Sequence, residues 1–233
     1  KTSPKSPGLT PVTMLKPLCG MEPGLADNLR TFCNQDYKNF QIVLGVRDRD
    51  DPAIPVINGI IEEFPALDIS LVINDRIIGT NYKISNLANM MSVAKHDILV
   101  ISDSDMRVRP DYLKIIMAPF ADDTVGATTC LYSGTASGGV PSKLGAMFIN
   151  DWFLPSALLP TMFGPLTYCF GATMAVRRNV LEQMGNFDVL ADYLADDYML
   201  GQFVVEQGYR IALAPYVVEN IIYERDLTGL FQH

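Results

Sequence analysis

The run Asp97-Ile98-Leu99-Val100-Ile101-Ser102-Asp103-Ser104-Asp105 decides how this chain is read. Four consecutive apolar residues indicate a strand buried on both faces, and two carboxylates one residue apart follow at its C-terminal end. In open α/β sheets, that end of a strand is where ligands sit. In extended backbone Asp103 and Asp105 point the same way, so two hard oxygen ligands can meet a Mg²⁺ or Mn²⁺ that bridges a diphosphate. The alternative is a solvated turn in which the two side chains cap backbone amides.

Outward from this strand, the pattern alternates. Upstream, Pro11 to Leu15, Phe40 to Val46 and Leu67 to Ile73 read as strands. Between and after them, helices are marked by Leu25, Leu29, Phe32 and Cys33, by Ile54, Ile57, Ile61 and Phe64, and by Ile84, Leu87, Ala88 and Met91. A further helix opens at Pro110. Four alternations predict a mostly parallel sheet with right-handed crossovers.

The second strand runs into Asp48, Asp50 and Asp51, followed by Pro52. Asp51 suits either the N-cap of the next helix or a hydrogen bond to a uracil or ribose. Lys83, just after a Gly/Asn loop, is either a solvated lysine or a cation facing the same crevice, where it would meet phosphate.

Past a fifth strand, Val125 to Tyr132, the rhythm stops. Ser133 to Gly139 reads as a mobile loop, Lys143 to Trp152 as a helix, Tyr168 to Val176 as a strand and Arg178 to Met184 as a short helix. A last helix is expected from Asp192 through Gln207, its acidic start Asp192, Asp196 and Asp197 favoured by the macrodipole. Ile211 to Ala214 and Val217 to Ile222 close the pattern as two strands.

Composition narrows the function. The chain has 233 residues, 48% hydrophobic and 19% charged, enough for one sizeable core. A formal net charge of -8 argues against a nucleic-acid partner, since a phosphate backbone would be repelled. Four cysteines without a C-x-x-C pair and two histidines make a zinc site or disulfide scaffold a poor fit and suggest reduced thiols facing a cytosol. Residues 1–10 read as a Pro/Ser/Lys linker from an upstream segment and 11–233 as a single catalytic domain. From Trp152 to Val176 no position is charged, but Pro155, Pro160, Pro165, Gly164 and Gly171 break the run, which excludes a spanning helix. It remains either packed core or a surface that meets the membrane interface.

Taken in order, Leu15-Lys16-Pro17-Leu18, Asp48-Arg49-Asp50-Asp51-Pro52-Ala53, Lys83-Ile84-Ser85-Asn86-Leu87, Asp103-Ser104-Asp105, Phe170-Gly171-Ala172-Thr173-Met174 and Asp196-Asp197-Tyr198 resemble the GT-A glycosyltransferases with lipid acceptors. The match is closest to the ceramide glucosyltransferase family and its bacterial hopanoid-lipid relatives. The resemblance spans Val12 to about Asn220. It implies a GT-A fold, with a Rossmann-like, mostly parallel sheet flanked by helices and a smaller acceptor-side part. Residues 11–132 would form the nucleotide-sugar half and 133–233 the acceptor half.

By the same resemblance, Asp48 and Asp51 hold the nucleoside of a UDP-sugar and Lys83 lies near the diphosphate. Asp103 contacts the ribose or sugar side, and Asp105, with Asp103, the Mg²⁺ or Mn²⁺. Asp197 is the general base, and Asp196 beside it positions acceptor or donor. The implied activity is inverting transfer of glucose or N-acetylglucosamine to a membrane-lipid hydroxyl, by a membrane-associated enzyme with its catalytic domain on the cytosolic face. The family's Gln/Arg-x-x-Arg-Trp motif would begin where the chain reads Phe231-Gln232-His233. Its acceptor-side histidine has no counterpart between Asn150 and Phe153, which points away from ceramide itself. Two other classes compete: a non-catalytic nucleotide-sugar-binding module, and a haloacid-dehalogenase phosphatase, whose Asp-x-Asp follows the first strand rather than the fourth.

Overall fold

A computed structural model describes residues 10–223; the expected linker, apart from Thr10, and the Phe231-Gln232-His233 end lie outside the described residues. In chain order, the first part consists of β1 (Val12–Pro17), α1 (Leu25–Cys33), β2 (Phe40–Val46), α2 (Ile54–Glu63), β3 (Asp68–Ile73), α3 (Tyr82–Met90) and β4 (Ile98–Ile101). Then come β5 (Met106–Arg107), α4 (Tyr112–Met117), β6 (Val125–Ala136), α5 (Val140–Phe148) and α6 (Leu154–Thr161). The last elements are β7 (Met174–Arg177), α7 (Arg178–Gln183), α8 (Asp196–Glu206) and β8 (Arg210–Ile222).

One eight-stranded sheet has the order β3-β2-β1-β4-β7-β6-β8-β5. β1 pairs in parallel with β2 and β4, β2 with β3, and β6 with β8. β7 runs antiparallel to both β4 and β6, and β5 antiparallel to β8, so all strands except β5 and β7 share a direction.

Period-two alternation sorts each strand onto two cores. Val12, Met14, Ile42, Leu44, Ile98 and Val100 face a layer containing Leu29 and Phe32 of α1, Ile57 of α2 and Leu113 of α4. Leu15, Val43, Leu99 and Ile101 face the opposite layer, with Ile84 and Leu87 of α3, Val180 of α7 and Leu200 of α8. Burying each such side chain is worth about 1.5–3 kcal/mol, which fixes the register.

The regular half matches its expectation closely, and the rest departs from it in instructive ways. Ser133 to Ala136 is not a loop but the end of β6, paired with β8 through Gly134 opposite Asn220. The Asn150 carboxamide also clamps Gly134, accepting from its N–H at 2.8 Å and donating to its C=O at 2.9 Å. The expected helix over 143–152 begins at Val140 and continues through a π turn, Ile149–Phe153, into α6. Pro155 lacks the N–H that would meet the Asp151 carbonyl, which accounts for the widened turn. The strand expected over 168–176 shrinks to β7, preceded by a Phe170–Thr173 bridge.

The two closing strands are one. Pro215 is absorbed where the register slips between Thr129 opposite Leu213 and Leu131 opposite Val217. α8 starts at Asp196, not Asp192. Among the described residues, no helix is long and apolar enough to cross a membrane. All four thiols are free, and Cys33, Cys130 and Cys169 are buried.

Candidate active site

The carboxyl ends of β1, β2 and β4 open into one cleft of about 920 Å³, lined among others by Glu22, Arg47, Asp48, Asp51, Lys83, Asp103 and Asp105. A second cleft of about 870 Å³ shares Glu22, Asp103 and Asp105 with it and adds Tyr132, Gly171, Asp197 and Asn220. The Asp-x-Asp therefore stands at the junction of the two.

Asp103 is fixed by both its side chain and its backbone. Its Oδ1 receives the Lys83 ammonium at 2.7 Å, and its carbonyl receives the Lys16 ammonium at 2.7 Å. Lys16 is fully buried in β1, its Nζ 3.5 Å from the centre of the Phe32 ring. Burial pushes its pKa down to about 7 against the pull of Asp103, Asp105 and Glu22. At Lys83, burial works against the charge, but Asp103 and Asp196 outweigh it and hold its pKa above the ordinary lysine value. That strengthens Lys83 as a permanent cation.

Asp105 is braced by β8. The Asn220 carboxamide donates to Oδ2 at 2.6 Å, and the Ile221 N–H donates to the Asp105 carbonyl at 2.9 Å. Its Oδ1 is buried with no hydrogen-bond partner, as is Glu22 Oε2, while Glu22 Oε1 accepts from Ser104 Oγ at 2.7 Å. Burial first, then Asp103 and Glu22, raises Asp105 to about 6. A buried carboxylate oxygen without a partner is costly, and a divalent cation would satisfy it. Among the described residues no three acidic, histidine or cysteine groups gather tightly enough to hold a metal alone. Asp105 Oδ1 and Glu22 Oε2 are thus the buried oxygens that would face such a cation.

Asp51 is tied into the scaffold. Its carboxylate accepts from the Gly20 N–H at 3.0 Å and the Ala53 N–H at 2.8 Å. It joins the loop after β1 to the turn before α2. The helix N-cap itself is Ala53, so in place of the capping reading Asp51 makes an Asx turn from two residues earlier. Asp48 is exposed on the cleft wall, where its Oδ1 accepts from the Asp50 N–H.

Asp196 and Asp197 face different partners although adjacent. Asp196 is buried, with Oδ2 3.8 Å from Lys83 Nζ; burial, then Asp197 and Asp103, raise its pKa against the pull of Lys83. Asp197 turns to the second cleft, with the Tyr198 N–H on its Oδ1. A Cβ on Gly171 would lie 3.2 Å from Asp197 Oδ2, so glycine leaves that oxygen accessible.

A seam connects the two clefts. Asp192 Oδ1 accepts from Thr80 N–H at 2.8 Å and Thr80 Oγ1 at 3.1 Å. Asn81 donates from its N–H to the Ala191 carbonyl and from its carboxamide to the Tyr193 carbonyl, both at 2.8 Å. Only glycine fits at Gly79, where a Cβ would be 2.5 Å from the Ala191 carbonyl oxygen. Asp192 thus serves as an anchor, not a helix cap, while Asp196 and Asp197 stand in the first turn of α8, where the macrodipole favours them.

Sequence reasoning places Lys16 within Leu15-Lys16-Pro17-Leu18 but gives it no role, because it ends the strand at Leu15 and β1 runs on to Pro17; it passes over Glu22 and Asn220. Glu22 and Asn220 carry no local signal, because only the tertiary fold brings them to Asp105.

This architecture is that of the GT-A glycosyltransferases. A mannosyltransferase from Pyrobaculum calidifontis, solved with GDP-mannose and Mn²⁺, superposes with a TM-score of 0.72 at 23% identity, covering 92% of this chain and 58% of that one. GalNAc-T7 with UDP, GalNAc and Mn²⁺ gives 0.66 at 13% identity, covering 92% of this chain and 43% of that one. The chain belongs to glycosyl transferase family 21, whose pattern matches residues 1–233. It is similar to ceramide glucosyltransferase 1 of Caenorhabditis elegans, 22% identical over 209 residues, 89% of this chain and 45% of that protein. It is 35% identical over 112 residues to the Komagataella phaffii ceramide glucosyltransferase, covering 46% of this chain and 22% of that protein. The chain spans less than half the length of these curated relatives.

Proposed function

We propose that this chain carries the catalytic centre for inverting transfer of a hexose, glucose or N-acetylglucosamine, from a UDP-sugar to a hydroxyl of a membrane lipid such as a hopanoid or ceramide-like acceptor. The observation that carries this reading is the position of Asp103 and Asp105 where two clefts meet, with Lys83 in the first and Asp197 in the second. The nucleotide-sugar occupies the first cleft, against residues 11–132. There Asp48 and Asp51 line the nucleoside end and Lys83 meets diphosphate charge. The acceptor hydroxyl enters the second, formed largely by 133–233, where Asp197 removes its proton as it attacks the sugar carbon. Asp196, held near Lys83, positions acceptor or donor. A Mg²⁺ or Mn²⁺ on Asp105 and Asp103 would take up negative charge on the departing UDP.

The segment from α5 through the end of α6 supports a membrane-side acceptor. Phe148 of α5 is 57% exposed and stacks on Trp152 of the π turn, itself 62% exposed, while Leu159 of α6 is 59% exposed and Phe163 just past it 83%. Apolar exposure repeated along one segment in this way marks an interaction surface. The corresponding placement is at the cytosolic face of a membrane. A screen of nucleotide-sugars for Mn²⁺-dependent hydrolysis and thermal shift tests the reading. UDP-glucose or UDP-N-acetylglucosamine should give both, and silence from every nucleotide-sugar would overturn it.

A further inference from the structure

Beyond the second cleft lies a smaller cavity of about 330 Å³, which shares Tyr132, Gly171 and Asp197 with it. Its walls are a continuous chain of aromatic rings. Tyr132 packs on Phe153 with centroids 4.6 Å apart, Phe153 meets Phe170 edge-on at 6.3 Å, Phe170 meets Tyr168 at 5.5 Å, and Tyr168 stacks on Tyr198 at 5.8 Å. These rings come from β6, the π turn, the loop before β7 and α8, so the fold assembles the cavity from four separate segments. Ala157 of α6 is buried in its lining. Leu131, Ala157 and Phe170 form a small apolar cluster of their own, apart from the two main cores.

The chemistry of the walls selects the occupant. Among the described residues that line the cavity, Asp197 is the only charged one, and none is a carboxamide. Ser156 Oγ is committed to the Trp152 carbonyl at 2.6 Å, and the Phe170 N–H to Thr129 Oγ1 at 2.8 Å. Burial pushes the Tyr132 phenol up to about 12, so it stays neutral. The phenols of Tyr132, Tyr168 and Tyr198 supply the walls' other polar atoms, while hydrocarbon would find ring faces on several sides and the exposed apolar segment beside them. The cavity also lies against the π turn and α6, which carry Trp152 and part of the exposed apolar face.

We infer that this aromatic cavity holds the hydrocarbon next to the acceptor's reacting hydroxyl, alkyl chain or fused ring, and aims that hydroxyl through the mouth at Asp197. The inference rests on the proposed transfer reaction and assigns its acceptor subsite. Gly171 keeps the mouth open beside Asp197 Oδ2.

The test uses the full-length protein with UDP and Mn²⁺ present, and primary n-alkanols from butanol to decanol as probes in calorimetry. Affinity should rise about fourfold per methylene until the cavity is full, then level off. Ala157→Phe should weaken octanol at least tenfold while UDP affinity and UDP-sugar hydrolysis stay at the parent level. Ser156→Trp, at the exposed rim, should do the same if Ala157→Phe fails to fold. Alkanol affinities indifferent to both substitutions, alongside intact UDP-sugar hydrolysis, would overturn the cavity assignment and leave the reaction standing. Chain-length-dependent binding lost in these variants, in a protein that turns over no nucleotide-sugar, would support the cavity and overturn the reaction. Methyl glucoside binding more tightly than octanol, and lost in Ala157→Phe, would overturn the assignment in favour of a sugar.

Discussion

The two halves of the molecule solve opposite problems. Residues 12–107 make a regular layered unit, in which β1, β2 and β4 are buried on both faces and the cleft at their ends is lined with charge. Residues 125–222 use a bulged strand, a π turn and a proline-broken helix to line a cavity with aromatic rings and leave apolar side chains in solvent. A rigid periodic scaffold suits a ligand of fixed charge and shape. Irregular backbone suits the exposure of apolar side chains, and the acid centre sits on the line between these two surfaces.

The sharpest way to break this contrast is at Asp197. If it acts on the acceptor side alone, Asp197→Asn should lower transfer about 10²–10⁴-fold while the dissociation constant for the UDP-sugar stays unchanged by calorimetry. Full transfer by that variant would remove the base from the second cleft. A smaller effect is expected at the apolar face. Replacing Trp152 and Phe163 together by Ser removes burial worth about 1.5–3 kcal/mol each, so vesicle co-sedimentation should fall at least tenfold with UDP-sugar hydrolysis intact. Unchanged sedimentation would free that face of a membrane role.

At the junction itself, the effect is one of stability. Burial, Asp103 and Glu22 lift Asp105 from 3.8 to about 6, so between those values the folded chain holds a proton that the unfolded chain releases. Stability from this group therefore falls as pH rises through that window, and the cost persists above it. Asp105→Asn should raise the stability of the metal-free protein at pH 7 by roughly 2–3 kcal/mol, a gain that fades below about pH 4. Mn²⁺ should stabilise the parent in the presence of UDP and leave the variant unmoved. A variant that melts lower at pH 7 would contradict the cost of burying this carboxylate, and one that still responds to Mn²⁺ would contradict the cation site.

Legibility followed the same divide. Strict periodicity made β1 to β4 and their helices readable, and the site residues at their strand ends lie on one cleft as expected. The second half was harder because its elements depend on partners distant in sequence. Gly134 looks like a loop residue until Asn150 and β8 satisfy its backbone. Asp192 looks like a helix cap until Thr80 claims it. Asp196 and Asp197 were legible as a pair, but not that one turns inward to Lys83 and the other outward to the second cleft.

The seam of Thr80 and Asn81 on Ala191, Asp192 and Tyr193 gives the two clefts a mechanical relation. The segment that enters α3 and carries Lys83 is bonded at four points to the segment that enters α8 and carries Asp197. Neither can shift without stretching those bonds, so the spacing between Lys83 and Asp197 is a property of the empty protein, set before any ligand arrives.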